Sequence, residues 1–316
     1  MRIKKFIPLL IIALIFIGFI ANSFVSTLRR KHDGQLDWPS SGQAAIGTVE
    51  EGILARSSTN EKVGAIASMA KVITALAVME KQPFKPGQQG ETYTITKKDI
   101  EGLNAYISEG GSTLPILTGM KVTQYQAMQR MLIASDNSIA DILVDRVFGS
   151  METYISYAQD MLKRMGLSHT IAADASGFNP ATVSTPSELV TLGIAALNNP
   201  VIAKIVALQR AQLPVIGTIK NTNQLLGMYG IIGIKTGTTD EAGSCLLFAA
   251  RYIRKDKQKK TIVGVIMGDR NHSRLYSDSK DLLASAKQFF NLSEAQSSDN
   301  IVDRPVKQRM SRPPKR

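Results

Sequence analysis

Cysteine is almost missing from this chain: Cys245 is the single one in 316 residues. An internal disulfide and a thiolate metal cluster each need more thiols than that, so both are excluded. Histidine is nearly as scarce. His32, His169 and His272 show no metal-ligand spacing such as H-E-x-x-H. None stands where a Ser-His-Asp triad could use it as a base. Acidic residues are missing from the ends. Residues 1–32 carry six Lys or Arg and no acid, and residues 301–316 carry six and one Asp. The net charge of +12 therefore sits in the termini, while 26 basic and 25 acidic residues leave the body nearly neutral. A nucleic-acid-binding domain shows its cations as a stripe on the folded face. This pattern argues against nucleic acid as a partner.

The first feature present in abundance is apolar. "MRIKKFIPLLIIALIFIGFIANSFVSTLRRK" has a basic head and an apolar run over residues 6–25. Its densest part, 7–20, has the length of a secretory h-region, and Ala21-Asn22-Ser23 offers small residues for cleavage. The whole run is also long enough to span a bilayer as a helix. Basic groups flank both ends, so the positive-inside rule does not orient it. Export follows, through a signal or a retained membrane anchor.

A polar linker covers about 32–42. "AAIGTVEEGILARSS" reads as two strands joined near Glu50–Gly52. "AIASMAKVITALAVMEK", residues 65–81, is a helix-forming apolar run. "ETYTITKKDIEG" alternates like a strand and ends in a loop. Thr123 is placed to cap a helix, and further helices are expected over 138–148, 150–165 and 186–197. At the last of these, Thr185, Pro186 and Glu188 spell a capping box. "IIGIKT", "SCLLFAARY" and "TIVGVIMG" read as strands, with Cys245 as buried packing, and a helix over about 274–290 follows. Strands at both sequence ends with helices between suggest one sheet with edges from distant parts of the chain.

Three short motifs occur in order: Ser68-x-x-Lys71, Ser135-Asp136-Asn137 and Lys235-Thr236-Gly237-Thr238. Each alone has a bland reading as a helix, an Asx-type turn or a strand ending in a glycine turn. Decoys exist at 277–280 ("SDSK") and 298–300 ("SDN"), but neither falls in the right order or place. Ile234 stands where a phosphate-binding P-loop needs glycine, which excludes that site. The ordered trio is far less common than its parts.

It resembles the signature of penicillin-binding proteins and class A β-lactamases. With "MLIASDNSIADILVDRVFGSMETYISYAQDMLKRMGLSHT", "ADASGFNPATVSTPSELVTL" and "GIKTGTTDEAGSCLLFAARY", the stretch from about 43 to 290 is similar to serine-type D-alanyl-D-alanine carboxypeptidases, the low-molecular-mass penicillin-binding proteins. The resemblance implies an α/β (α+β) fold of the β-lactamase/transpeptidase type, a mainly antiparallel sheet flanked by helices with an inserted all-helical lobe. The expected division is a signal or anchor segment at 1–32, a peptidase domain at 33–292 with its lobe near 97–212, and a disordered basic tail at 293–316. No cofactor and no metal is implied. The implied partners are peptidoglycan stem peptides, β-lactams as acylating inhibitors, and a membrane through the N-terminal segment, outside the cytoplasm.

A serine hydroxyl attacks only when a base takes its proton. A lysine serves if neutral, and burial or a second cation lowers its ordinary pKa of about 10.4. Spacing of i to i+3 puts Ser68 and Lys71 on one helical face. Ser68 also lies near a helix N-terminus, where unpaired N–H groups favour negative charge. The resemblance implies Ser68 as nucleophile and Lys71 as base. It implies Ser135 as a proton relay to the leaving amine and Asn137 as holder of a substrate amide. Lys235, Thr236 and Thr238 suit the terminal carboxylate, and Gly237 lets a peptide lie along the strand. The N–H groups of Ser68 and Thr238 are the implied oxyanion hole, each donor worth roughly 3–4 kcal/mol of barrier.

Rival readings stay open. A β-lactamase needs a carboxylate for deacylation. Glu188 is the candidate, though its cap position explains it, and Asp136 is a β-lactamase-like choice. A DD-endopeptidase that cuts cross-links fits the same trio, and no second domain is read beyond residue 290. An inactive wall-binding scaffold is the non-enzyme alternative. The basic tail is suited to anionic wall polymers or lipid headgroups.

Overall fold

A computed structural model describes residues 35–254, 257–290 and 292–294. The expected signal or anchor segment and the tail from 295 onward lie outside the described residues. An antiparallel six-stranded sheet forms the centre: β1 (Gln43–Thr48), β2 (Gly52–Arg56), β3 (Ile231–Thr239), β4 (Gly243–Arg254), β5 (Lys259–Asp269) and β6 (Leu292–Glu294). Its order is β2-β1-β5-β4. β3 and β6 share the outer edge of β4, β3 along residues 243–250 and β6 along 252–254. The first two residues of the expected tail, Ser293 and Glu294, therefore belong to a strand.

Both faces of this sheet are buried. Along β4, Cys245, Leu247 and Ala249 enter one core, while Leu246, Phe248 and Ala250 enter the other. Val263 and Val265 alternate in the same way with Ile262 and Ile266 on β5. The period of two is the pleat expressed as burial. It also explains why these strands read as continuous apolar runs rather than as an apolar-polar alternation.

Eight helices accompany the sheet among the described residues: α1 (Ala70–Lys81), α2 (Lys97–Ser108), α3 (Gln124–Ile133), α4 (Asn137–Phe148), α5 (Met151–Arg164), α6 (Pro186–Asn198), α7 (Pro200–Val206) and α8 (His272–Phe289). α8 packs its Leu275, Leu282 and Leu283 on the core with Phe248. α1 and α6 lie in the other core, where α1 buries residues on every side. That is why its apolar residues extend beyond a single stripe, with Glu80 and Lys81 exposed at its end.

Local signals behave as chemistry dictates, with three departures. Thr123 caps α3, and Gln126 returns the bond in a full capping box. Thr185 caps α6 over Pro186. The reciprocal half of that expected box is absent, because the Glu188 carboxylate instead accepts from the His169 N–H at 3.0 Å and the Thr170 hydroxyl at 2.5 Å. The second departure lies at residues 91–102. Only Thr92–Thr94 is extended, and Thr96 then starts α2 with a capping box to Asp99. The strand-like alternation there was misleading because a Thr-x-x-Asp cap interrupts it. The third is a short hairpin, Arg210–Leu213 against Gly217–Lys220, with no matching signal in the chain's periodicity.

Candidate active site

Ser68 stands in a single 3-10 turn, Ala67–Met69, that runs directly into α1. Ala67 has φ 46°, a left-handed conformation uncommon for a residue with a Cβ. A glycine loop holds that turn. A Cβ on Gly177 would sit 1.8 Å from the Ala67 carbonyl oxygen, so only glycine lets the two backbones meet. Asp174 organises the loop by accepting from the N–H groups of Ser176, Gly177 and Phe178 at 3.2, 3.0 and 2.9 Å.

One turn after Ser68, Lys71 is fully buried. Its Nζ lies 2.8 Å from Ser68 Oγ, 2.7 Å from Asn137 Oδ1 and 2.9 Å from the Ser176 carbonyl oxygen. The last two can only accept. A neutral amine has two N–H groups for them and a lone pair left for the hydroxyl proton of Ser68. Burial pushes Lys71 from 10.5 down to about 7, against the opposing pull of Asp174, Asp136 and Asp141.

The junction between α3 and α4 supplies the next two groups. Ser135 has φ 63°, which turns the chain sharply between the helices. Asp136 caps α4 through the Ile139 N–H. Its other oxygen accepts from Arg130 Nε at 2.9 Å and Nη2 at 2.7 Å, and both side chains are buried. Asp136 is thus consumed by an ion pair and a cap.

Lys235 comes from the middle of β3 and is also buried. Its Nζ donates to Ser135 Oγ and to the Thr236 carbonyl, both at 3.0 Å. Burial first, and the charge of Lys71 second, hold it well below the ordinary lysine value. Two buried ammoniums repel, so the pair favours a single proton. Further along β3, a Cβ on Gly237 would lie 2.9 Å from the Ile66 carbonyl and 3.2 Å from Ser68 N. The strand edge therefore presses against the amide of Ser68. Thr236 shares a 2.7 Å hydrogen bond with Thr222, and the Thr238 side chain is exposed and donates to the Gly237 carbonyl at 2.7 Å.

Residues from α1, the α3–α4 junction and β3 thus converge. The pairing differs from the expected one in detail. Ser135 is held by Lys235, whereas Lys71 is held by Asn137, which keeps its Nδ2 as the remaining donor. A family model described as D-alanyl-D-alanine carboxypeptidase matches residues 41–271, which include all three motifs.

The chain belongs to the D-alanyl-D-alanine carboxypeptidase family.

Among its relatives is the D-alanyl-D-alanine carboxypeptidase DacC of Escherichia coli, 26% identical over 75% of this chain and 58% of that one. A D-alanyl-D-alanine carboxypeptidase of Streptomyces is 27% identical over 53% of this chain and 62% of its own length. The chain thus spans about three fifths of the length of the curated relatives it matches. The fold is that of the Streptomyces K15 DD-transpeptidase, with a TM-score of 0.69 at 23% identity, covering 79% of this chain and 98% of that one.

Several residues that shape this family member's site had no separate motif. The Ser176 carbonyl accepts from Lys71, and Asp174 builds the loop around it. Tyr106 donates to Asp141 Oδ2 at 2.8 Å and lies 3.4 Å from Ser176 Oγ. Burial raises Asp141 to about 6. The only usable signals were Gly177 beside Asp174 in "ADASG" and an arginine six positions before Asp136.

Proposed function

We propose that the chain is a serine-type D-Ala-D-Ala carboxypeptidase that trims peptidoglycan stem peptides outside the cytoplasm and is acylated by penicillins. The observation that carries this reading is the Ser68–Lys71 contact of 2.8 Å with Lys71 wholly buried and pushed to about 7. A lysine near neutrality is a competent general base at physiological pH.

Ser68 Oγ attacks the carbonyl carbon of the penultimate D-alanine as Lys71 takes its proton. The terminal carboxylate docks at Lys235, Thr236 and Thr238. Its negative charge raises the affinity of Lys235 for the proton the two lysines share and so leaves Lys71 neutral. Substrates without that carboxylate lack this activation. Ser135, bridged to Lys235, passes a proton to the departing D-alanine amine. The N–H groups of Ser68 and Thr238 receive the oxyanion, and Gly237 leaves room for the acyl peptide beside β3. Water then releases the acyl group from Ser68.

Residues 33–292 act as one catalytic unit in this reading. The apolar run at 6–25 supports delivery across a membrane by a signal or a retained anchor. Glu188, tied to His169 and Thr170, does not supply the deacylating base of a β-lactamase. A fluorescent penicillin labelling wild type but not Ser68→Ala, with D-alanine released from a pentapeptide stem, is the expected result. Absence of label on the wild type sinks the proposal.

A further inference from the structure

The two ends of β4 have different surroundings. Near one end, Cys245 pairs with Gly237, which presses against Ser68. Arg254 closes the other end, about 30 Å away at a rise of about 3.4 Å per residue. That distant end gathers three segments around the buried Tyr252. The Tyr252 hydroxyl donates to the Tyr229 carbonyl at 2.8 Å, and the Arg251 N–H donates to the Gly230 carbonyl at 2.9 Å. The Lys287 ammonium, near the end of α8, stands 5.9 Å from the centroid of the Tyr252 ring. β6 supplies the third segment, with Glu294 paired to Tyr252.

The surface of this end brings exposed apolar side chains together with cations. Met228, Tyr229 and Phe289 expose 46%, 49% and 47% of their surface, which makes them a patch rather than scattered single residues. Phe289 ends α8 against the ring of Phe290. Residues 251–260, "RYIRKDKQKK", hold six Lys or Arg and one Asp, and Arg251, Lys257 and Lys259 are exposed. The acids of the β1–β2 turn are already answered, because Lys260 lies 3.2 Å from Glu51 and 3.9 Å from Glu50. Half-exposed aromatic and aliphatic side chains bordered by Lys and Arg are the composition of an interfacial membrane contact.

The chain also enters the domain here. Leu36 lies in the core with Tyr252, and the Asp37 N–H donates to Ser285 Oγ in the last turns of α8. The apolar run over 6–25 therefore joins the domain beside this patch, within a reach of about 40 Å at full extension. A polyanionic polymer would satisfy the cations but leave the three apolar side chains in water. A bilayer surface with anionic headgroups satisfies both. We propose that this end of the folded domain docks on anionic phospholipid headgroups, with Met228, Tyr229 and Phe289 at the acyl boundary and the cations on the phosphates. The domain itself then touches the bilayer, independently of any anchor. The length of β4 holds the Ser68 cleft about 30 Å above the surface. Each Lys or Arg near such a surface contributes about a fivefold factor in favour of the docked state.

The test places tryptophan probes in the full chain, in a Trp38→Phe background, since Trp38 is its one tryptophan. Tyr229→Trp and Phe289→Trp report the distant end, and Glu241→Trp reports the exposed turn between β3 and β4 at the cleft end. The vesicles mix phosphatidylglycerol with phosphatidylcholine brominated on its acyl chains. The probes at 229 and 289 are expected to shift to the blue and lose most of their emission to the bromines, while the probe at 241 keeps its emission. Arg251→Gln with Lys257→Gln and Lys259→Gln is expected to lower the docked-to-undocked ratio by about a hundredfold and to restore emission at 229, as does pure phosphatidylcholine. No quenching at 229 and 289, equal quenching at 229 and 241, or quenching indifferent to the cations and the lipid charge overturns the proposal. So does a blue shift produced by soluble poly(glycerol phosphate) without vesicles, which assigns the patch to a polymer. Fluorescent penicillin is expected to label Ser68 in every variant. Failure to label the wild type removes the acylation chemistry and leaves the docking result standing, so the two readings fail separately.

Discussion

Arg130 and Asp136, six residues apart, form a buried ion pair with Nη2 2.7 Å from Oδ2. Their partner groups span the cap of α4, the turn holding Ser135 and the carbonyls of Leu114 and Pro115. Removing one member of such a pair strands a buried charge. Asp136→Ala is expected to destabilise the fold by about 3–5 kcal/mol. Urea unfolding measures this, and a loss below about 1 kcal/mol means the pair behaves like an exposed one.

The rate of acylation depends on neutral Lys71. With its pKa near 7, the fraction able to accept the Ser68 proton rises as pH increases through that value. Penicillin acylation measured between about pH 5.5 and 8.5 should climb and then level off. The charge of Asp141 raises the Lys71 value. Asp141→Asn is therefore expected to move the acid limb to lower pH. A limb unchanged in that variant shows that Asp141 is too well screened to matter.

Gly177 and Gly166 share φ of +76°, but only Gly177 has a backbone neighbour where a Cβ would stand. Gly166→Ala is expected to cost about 1–2 kcal/mol, the left-handed strain alone. Gly177→Ala should lose considerably more and also displace the turn carrying Ser68. Thermal unfolding and penicillin labelling separate the two. Equal losses, with labelling intact, disprove the close-approach argument.

Glu188 accepts from His169 and Thr170 and joins α6 to the segment before the Asp174 loop. Glu188→Gln is expected to lower stability while leaving the lifetime of the penicilloyl adduct unchanged. Intact-mass spectrometry after a penicillin pulse reads that lifetime. Substantial lengthening in the variant restores Glu188 as a deacylating base.

Much of the fold was legible before any coordinates. Helix starts at Thr123 and Thr185 and the late strands are local matters, set by capping groups and apolar runs that neighbouring residues suffice to define. α2 was obscured because residues 91–95 alternate like a strand until Thr96 caps the helix. The short hairpin at 210–220 was invisible because its strands of four residues carry too little periodicity to register.

Sequence alone put Ser68 and Lys71 one turn apart, although Ser68 falls in a 3-10 turn ahead of α1 and not in the α-helix expected from the apolar run. It also ordered the three motifs. Which lysine holds Ser135, where Asp136 sends its charge and what surrounds Lys71 were decided only by tertiary structure. The contacts of Lys71 with Asn137 and Ser176, and of Lys235 with Ser135, join residues 66 to 105 positions apart. Burial, which sets the proton affinity of both lysines, is a property of the packed chain and not of any segment within it.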